Sequence, residues 1–179
     1  GAMSALPALK PAVNVKAWVP MTDNMLGGDA TRLGDVLTIR NGKTVEILNS
    51  DAEGRLILAD GLSLASEAKP DAVIDLATLT GAAMVSLGTD YSALMANNDD
   101  FAAQVEAAAD DAGELTWRMP LPARYLKLLD SPIADMKNIG GPYGGAITAA
   151  LFLQEFVAEG LPWAHLDIAG PAFADSVQE

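Results

Sequence analysis

The sequence predicts an α/β fold, a three-layer α/β/α domain around a mostly parallel sheet, and three observations carry that expectation. Strand-like and helix-like segments alternate from end to end. Asp71 to Leu79 (DAVIDLATL) is a near-continuous apolar run, the pattern of a parallel strand buried on both faces. Half of the 179 residues are apolar. That is enough for a sizeable core, because a chain of this size buries roughly 70% of its unfolded surface.

Gly1-Ala2-Met3 has the look of a protease-cleaved tag scar and is set aside, leaving residues 4–179 as one unit. Val13 to Met21 alternates well enough for a strand, and Gly27-Gly28-Asp29 marks a loop. Val36 to Arg40 and Thr44 to Leu48 are β-branched runs flanking Asn41-Gly42-Lys43, and Asn-Gly is a strong hairpin signal. Leu56 to Ala68 reads as a helix stopped by Lys69-Pro70. The apolar strand follows, then a short helix over Gly81 to Leu87, a strand over Ser92 to Ala96 and an acidic, Ala-rich helix from Asp99 to Gly113. Ala123 to Leu129 is a helix between two prolines, and Gly140 to Gly145 leads into a long apolar helix, Ala146 to Glu159. Trp163 to Ile168 closes the pattern as a strand before a short tail.

Lys and Arg number 11 against 24 Asp and Glu, a formal net charge of −13. Such a surface repels phosphate backbones and anionic membranes, so no nucleic acid and no membrane are expected as partners. Cations, or the amino group of a substrate, suit it better. The chain has no cysteine and a single histidine, His165. Disulfides, thiolate zinc sites, iron–sulfur clusters and sites built on two histidines are therefore excluded. Zero cysteine fits a reducing compartment, and a cytoplasmic location is expected. No apolar run reaches the ~18 residues of a membrane span.

Asn49-Ser50-Asp51-Ala52-Glu53-Gly54-Arg55-Leu56 lies at a strand-to-helix junction, where α/β sheets bind ligands. If its backbone stays extended, Asp51, Glu53 and Arg55 point to one side. Two carboxylates could then hold divalent cations while the guanidinium meets an oxyanion. The same letters also spell a capping box, with Ser50 capping the next helix and Glu53 returning the bond. The two readings differ in where the Glu53 carboxylate points.

This octapeptide, with the DLATLTGA that follows it, resembles the signature region of the leucyl (cytosol) aminopeptidases, the M17 family of dinuclear metallopeptidases. The family pattern N-T-D-A-E-G-R-L is departed from only at Ser50. Asp23 to Gly28 resembles the family's E-N-M-P-S-G with three substitutions. Gly34-Asp35-Val36-Leu37 with Gly42-Lys43-Thr44-Val45-Glu46 resembles its hairpin. Gly144 to Ala150 and Trp163 to Gly170 resemble its late helix and strand. Residues 4–179 are thereby identified as a partial M17-like catalytic domain.

What the resemblance implies is confined to matching positions. Asp51 and Glu53 become metal ligands, with Glu53 bridging two divalent cations, Mn²⁺ or Zn²⁺. Arg55 becomes the catalytic arginine that holds a bicarbonate. Thr78, Leu79 and Gly81 border the substrate through their backbones. The implied chemistry is hydrolysis of an N-terminal, leucine-type residue from a peptide: a hydroxide between the metals attacks the first peptide carbonyl while one metal holds the α-amine. A homo-oligomer, a hexamer in the intact protein, is implied as well. The family's upstream stretch, V-G-K-G-x-x-F-D-S-G-G with its lysines and aspartates, has no counterpart here, for Lys10 and Lys16 stand in other surroundings. The chain by itself is thus expected to be inactive or very weak. Its apolar strands, without their upstream neighbours, are expected to self-associate.

The remaining residues read as structural. His165, inside a strand, is expected to be a satisfied core histidine. Asp75 and Asp167, in apolar strands, are expected to be hydrogen-bonded, because a buried carboxylate is costly otherwise. The Gly140 to Gly145 stretch lacks the Lys and Ser/Thr of a P-loop and reads as a helix entry. Ser63, Ser86 and Ser131 lack a nucleophile-elbow context. Met21, Met25, Met84, Met95, Met119 and Met136 read as core filler. The competing function, from a different class, is a non-catalytic scaffold or cation-binding domain of the same fold. A DNA-binding role is opposed by the charge.

Overall fold

A computed structural model describes residues 1–23 and 27–173 of the chain. The segment Asp23 to Gly28 and the core position expected of Met25 therefore lie partly or wholly outside the described residues.

The expected hairpin forms. Val36–Thr38 (β1) and Thr44–Glu46 (β2) pair antiparallel, Val36 opposite Glu46 and Thr38 opposite Thr44. A third short strand, Met136–Lys137 (β6), which sequence did not suggest, pairs parallel with β2. Asp135 ties this sheet by accepting from Thr44 N at 2.8 Å and Thr44 Oγ1 at 2.7 Å. These bonds hold the Asp135 carboxyl below its ordinary range.

The second sheet contains Val73–Ala77 (β3), Ser92–Ala96 (β4), Thr116–Arg118 (β5) and Trp163–Asp167 (β7), in the order β3-β7-β4-β5. The β3–β7 and β4–β5 pairings are parallel and β4–β7 is antiparallel. Successive residues of a strand face opposite sides, and both sides of this sheet carry helix. Leu94 and Ala164 point toward Val105 of Asp99–Ala112 (α4). Ala93, Met95 and Trp163 point into the main core, with Phe152 and Leu153 of Gly145–Gln154 (α5), Leu56 and Ala59 of Gly54–Glu67 (α2), and Ala83 of Gly81–Leu87 (α3). The domain is thus three-layered, α/β/α, as expected.

Helix ends follow local chemistry. Asn98 caps α4 by accepting from Phe101 N, Gly113 closes it in the left-handed region, and Asp99 and Asp100 favour its positive N-terminus. Helix α5 opens on Gly144 at φ 61° and stops at Gln154, well short of the expected Glu159. At Gly145 a methyl would lie 2.9 Å from Ala82 Cβ, so glycine lets α5 approach α3. Ala123–Leu129 winds as a 3-10 helix. Ala2–Leu9 (α1) is an exposed helix that buries none of its residues.

Three expectations are corrected. Val13 to Met21 forms no strand: it has no neighbour to pair with among the described residues, and Val13, Val15, Val19 and Met21 are exposed. Met21 is therefore not core filler, whereas Met95 and Met136 are buried. Strand β3 is not covered on both faces. It lies at one edge of the sheet, and Ile74 is 48% and Leu76 57% exposed.

The carboxylates expected to be hydrogen-bonded are so. Asp75 accepts from Trp163 Nε1 at 2.7 Å and from His165 Nδ1 at 2.6 Å, across the β3–β7 pairing. That contact fixes the imidazole with its proton on Nδ1, and His165 is a core residue. Asp75→Ala strands two buried donors. We expect it to cost on the order of 2–4 kcal/mol in urea unfolding, with Asp75→Asn costing less because an acceptor is kept. An apolar edge strand invites pairing with another copy. The chain alone is expected to elute from gel filtration above its 18.6 kDa mass, and Leu76→Lys to shift it toward the monomer.

Candidate active site

Strand β2 ends at Glu46, and the chain reaches α2 through residues 47–53. Asn49 shapes this loop by accepting from Asp51 N at 2.9 Å, the side-chain turn that asparagine favours. Glu53 sits at the N-cap of α2 with φ −75° and ψ −34°, and the cap has no side-chain hydrogen bond. The capping-box reading is thus not realised. The backbone is not extended either: it turns through Ser50 and Asp51 and is helical from Gly54. Asp51 and Glu53 are consequently exposed, whereas Arg55, already inside the helix, is turned inward.

Arg55 is only 8% exposed. Its Nη1 donates to the Asn138 carbonyl oxygen at 2.9 Å, and its Nε is buried without a partner. Burial lowers its pKa to about 10, against the raising effect of Asp167 and Glu53. The guanidinium therefore stays charged at neutral pH.

Asn138 follows β6 directly and has no exposed surface. Its Oδ1 accepts from Leu48 N at 2.9 Å and Asn49 N at 3.2 Å. Its Nδ2 donates to the carbonyls of Asn49 at 2.7 Å and Ala52 at 3.5 Å. The two N–H groups and two carbonyls leave only one sensible orientation for the amide. The loop that carries both carboxylates is thereby bonded to one side chain.

Asp167, at the carboxyl end of β7, is also without exposure. It accepts from Leu79 N at 3.1 Å, Thr80 N at 3.4 Å, Thr80 Oγ1 at 2.7 Å and Ala169 N at 3.3 Å. Thr80 in turn caps α3 by accepting from Ala83 N at 3.0 Å. The loop Thr78-Leu79-Thr80-Gly81 is thus held at the carboxyl end of β3. Thr78 and Gly81 are exposed and Leu79 is half-buried.

The arrangement brings Glu53 and Arg55 together beside Asp167, with Asp51 two residues before Glu53 on the same exposed turn. An all-oxygen pair of exposed carboxylates fits a hard or borderline divalent cation, though it fills only part of a coordination sphere. Among the described residues no third His, Cys, Asp or Glu joins them. The orphaned Nε of Arg55 is a buried donor that a small oxyanion could satisfy. Sequence reasoning did not single out Asn138 or Thr80. The signal for Asn138 was faint, a lone amide between an unrecognised two-residue strand and a glycine-rich stretch. Asp167 was expected to be hydrogen-bonded near the carboxyl end of its strand, and it is.

The chain matches the family described as "Cytosol aminopeptidase family, catalytic domain" over residues 1–179. It is 55% identical over 175 residues to a protein of Streptomyces avermitilis named "Probable cytosol aminopeptidase", covering 98% of this chain and 34% of that one. A protein of the same name from Bradyrhizobium is 56% identical over 173 residues, 96% of this chain and 34% of the relative. Among solved structures, the bottromycin maturation enzyme BotP in complex with Mn superimposes with a TM-score of 0.93 at 47% identity, over 98% of this chain and 39% of that one. A mutant tomato leucine aminopeptidase superimposes with a TM-score of 0.84 at 50% identity, over 86% and 30%. The chain spans about a third of the length of these curated relatives. On the strength of a family match along its whole length and of relatives more than half identical to it, the chain belongs to the cytosol aminopeptidase family, as a stretch of its catalytic domain.

Proposed function

We propose that this stretch supplies part of the active site of a metal-dependent aminopeptidase, which hydrolyses an N-terminal residue, leucine-type, from peptides. The observation that carries the reading is the junction of β2 and α2. The exposed carboxylate of Glu53 there adjoins a buried, charged guanidinium, with the exposed Asp51 two residues earlier, in a segment matching the family signature at all but one position. Asp51 and Glu53 would hold divalent cations, and a solved relative complexed with Mn supports manganese ahead of zinc. When bound, such ions polarise a peptide carbonyl and lower the pKa of an attacking water.

The chain's own residues do the rest. Arg55 sets a fixed positive charge beside the carboxylates, in surroundings dry enough for it to act strongly on a developing oxyanion. Its unpartnered Nε and remaining donors favour a small anion such as bicarbonate as a companion. The Leu79 N–H is already taken by Asp167, so this loop meets a substrate through its carbonyl oxygens and through the exposed Thr78 and Gly81. A carbonyl oxygen accepts from the N–H groups of a peptide and not from another carbonyl, which orients the substrate backbone. A hexameric assembly and a cytoplasmic location complete the proposal for the full-length protein.

A non-catalytic scaffold of the same fold is the competing reading, favoured by the small number of ligands gathered here. Hydrolysis of a leucyl anilide with added Mn²⁺ separates the two. The full-length protein is expected to turn over the anilide and to lose that activity in Asp51→Ala/Glu53→Ala, whereas residues 1–179 alone show no turnover above that control. No turnover by the full-length protein would establish the scaffold. In the active full-length protein, Arg55→Lys is expected to lower kcat by about 10²–10³ with little change in KM, since a point charge replaces a fixed fork.

A further inference from the structure

We infer that Asn138 is the positioning residue of this site: one buried amide holds the loop bearing Asp51 and Glu53 in a single frame with Arg55, and divalent-cation affinity depends on it. The inference rests on the reading of Asp51 and Glu53 as ligands.

Asn138 is not itself a ligand. A side-chain amide offers two acceptor positions on Oδ1 and two donors on Nδ2. Here Oδ1 accepts from Leu48 N and Asn49 N, while Nδ2 donates to the Asn49 and Ala52 carbonyls. Nothing is left over for a metal. All four partners lie at positions 48–52, so the bonds close on the loop that contains Asp51 and ends at Glu53. Two main-chain bonds then tie the same residue to its surroundings. Asn138 N donates to Glu46 O at 3.0 Å, extending the β2–β6 pairing, and Asn138 O accepts from Arg55 Nη1 at 2.9 Å. A loop leaving one strand is thereby fastened to the end of the neighbouring strand, and the guanidinium is fastened to the same residue.

The consequence concerns preorganisation. Two carboxylates on a free loop must be ordered before they can bind a cation together, and that ordering weakens the observed affinity. Asn138 supplies the ordering in advance. Residues that orient ligands without touching the metal commonly govern affinity by about 10- to 100-fold. Because the Arg55 bond goes to the main-chain carbonyl, truncating the Asn138 side chain releases the loop and leaves that acceptor in place.

The test uses the full-length protein, stripped of metal, with Mn²⁺ as the probe. Titration calorimetry gives Mn²⁺ affinity, amide hydrogen exchange reports the Leu48 and Asn49 N–H groups, and thermal unfolding without metal gives stability. Asn97→Ala is the control. Asn97 also bridges main chain, donating to Leu161 O at 3.0 Å and accepting from Trp163 N at 2.8 Å, but it stands at the far end of β7. Asn138→Ala is expected to weaken Mn²⁺ binding about 10- to 100-fold and to deprotect both amides. Asn97→Ala should lower the unfolding temperature with Mn²⁺ affinity unchanged. If Asn138→Ala does not fold, the isosteric Asn138→Asp keeps the two accepting contacts, cannot donate to the Asn49 and Ala52 carbonyls, and is expected to bind Mn²⁺ more weakly. Wild-type affinity in the Asn138 variant that folds overturns the inference, as does an equal loss in Asn97→Ala. Should Asp51→Ala/Glu53→Ala bind Mn²⁺ as well as the wild type, the reading of those two residues as ligands fails first, and the inference falls with it.

Discussion

Burying Arg55 and Asp167 at the carboxyl ends of the strands is the constraint on which the rest of the site depends. A guanidinium at 8% exposure and a carboxylate with none are both costly to remove from water. Each is compensated locally. Asp167 takes three main-chain N–H groups and a hydroxyl, and Arg55 gives one bond to a carbonyl and keeps its charge beside two acidic residues. The compensation has a structural consequence, because three of the four donors that satisfy Asp167 belong to the loop opening α3, and the carbonyl that satisfies Arg55 belongs to the strand end beside β2. Two loops from different parts of the chain are thereby drawn to one place.

The two sheets play different parts in this. The larger sheet supplies the core, with Trp163, Met95 and Ala93 packed beneath α5 and α2. It also carries the Asp75–His165–Trp163 contact, whose polar atoms are paired except for His165 Nε2. The smaller sheet adds Val45 and Met136 to the same core, although its strands are only two or three residues long. It has a positional role as well. The β2–β6 pairing sets Asn138 opposite the beginning of the loop that carries Asp51 and Glu53, and a short pairing suffices because side-chain bonds from Asp135 and Asn138 extend it at both ends.

An electrostatic asymmetry accompanies this architecture. The chain carries −13 overall, yet at the site a buried cation stands next to the exposed carboxylate of Glu53. Exposed carboxylates attract cations from solution, and a buried guanidinium resists the neutralisation that solvent screening would impose on a surface charge. Under the proposed function, metal capture and oxyanion stabilisation would fall to different depths of one short segment. Three consecutive features of the chain produce that separation: an asparagine turn at Asn49, a helix start at Gly54, and one inward-facing helical position at Arg55.

How much of this was legible in the sequence follows from the range of the forces involved. Periodicity, glycines and prolines report on neighbours within one turn or one hairpin, and so the β1–β2 hairpin, α2, α3, α4, β4 and β7 could be read directly. Residues 51, 53 and 55 stood out as candidates through the letters of one octapeptide. Composition alone excluded thiolate metal sites and paired histidines. What tertiary structure decided was everything that needs a distant partner. A β-rich run at Val13 to Met21 stays unpaired among the described residues, and an apolar run at β3 becomes a half-exposed edge, because strand formation and burial depend on what lies alongside. The direction of the Arg55 side chain was decided by the helix beginning at Gly54 and by an acceptor 83 residues away. Asn138 illustrates the point most directly: its meaning lies in four bonds to residues 86 to 90 positions earlier, and no local pattern carries information over that separation.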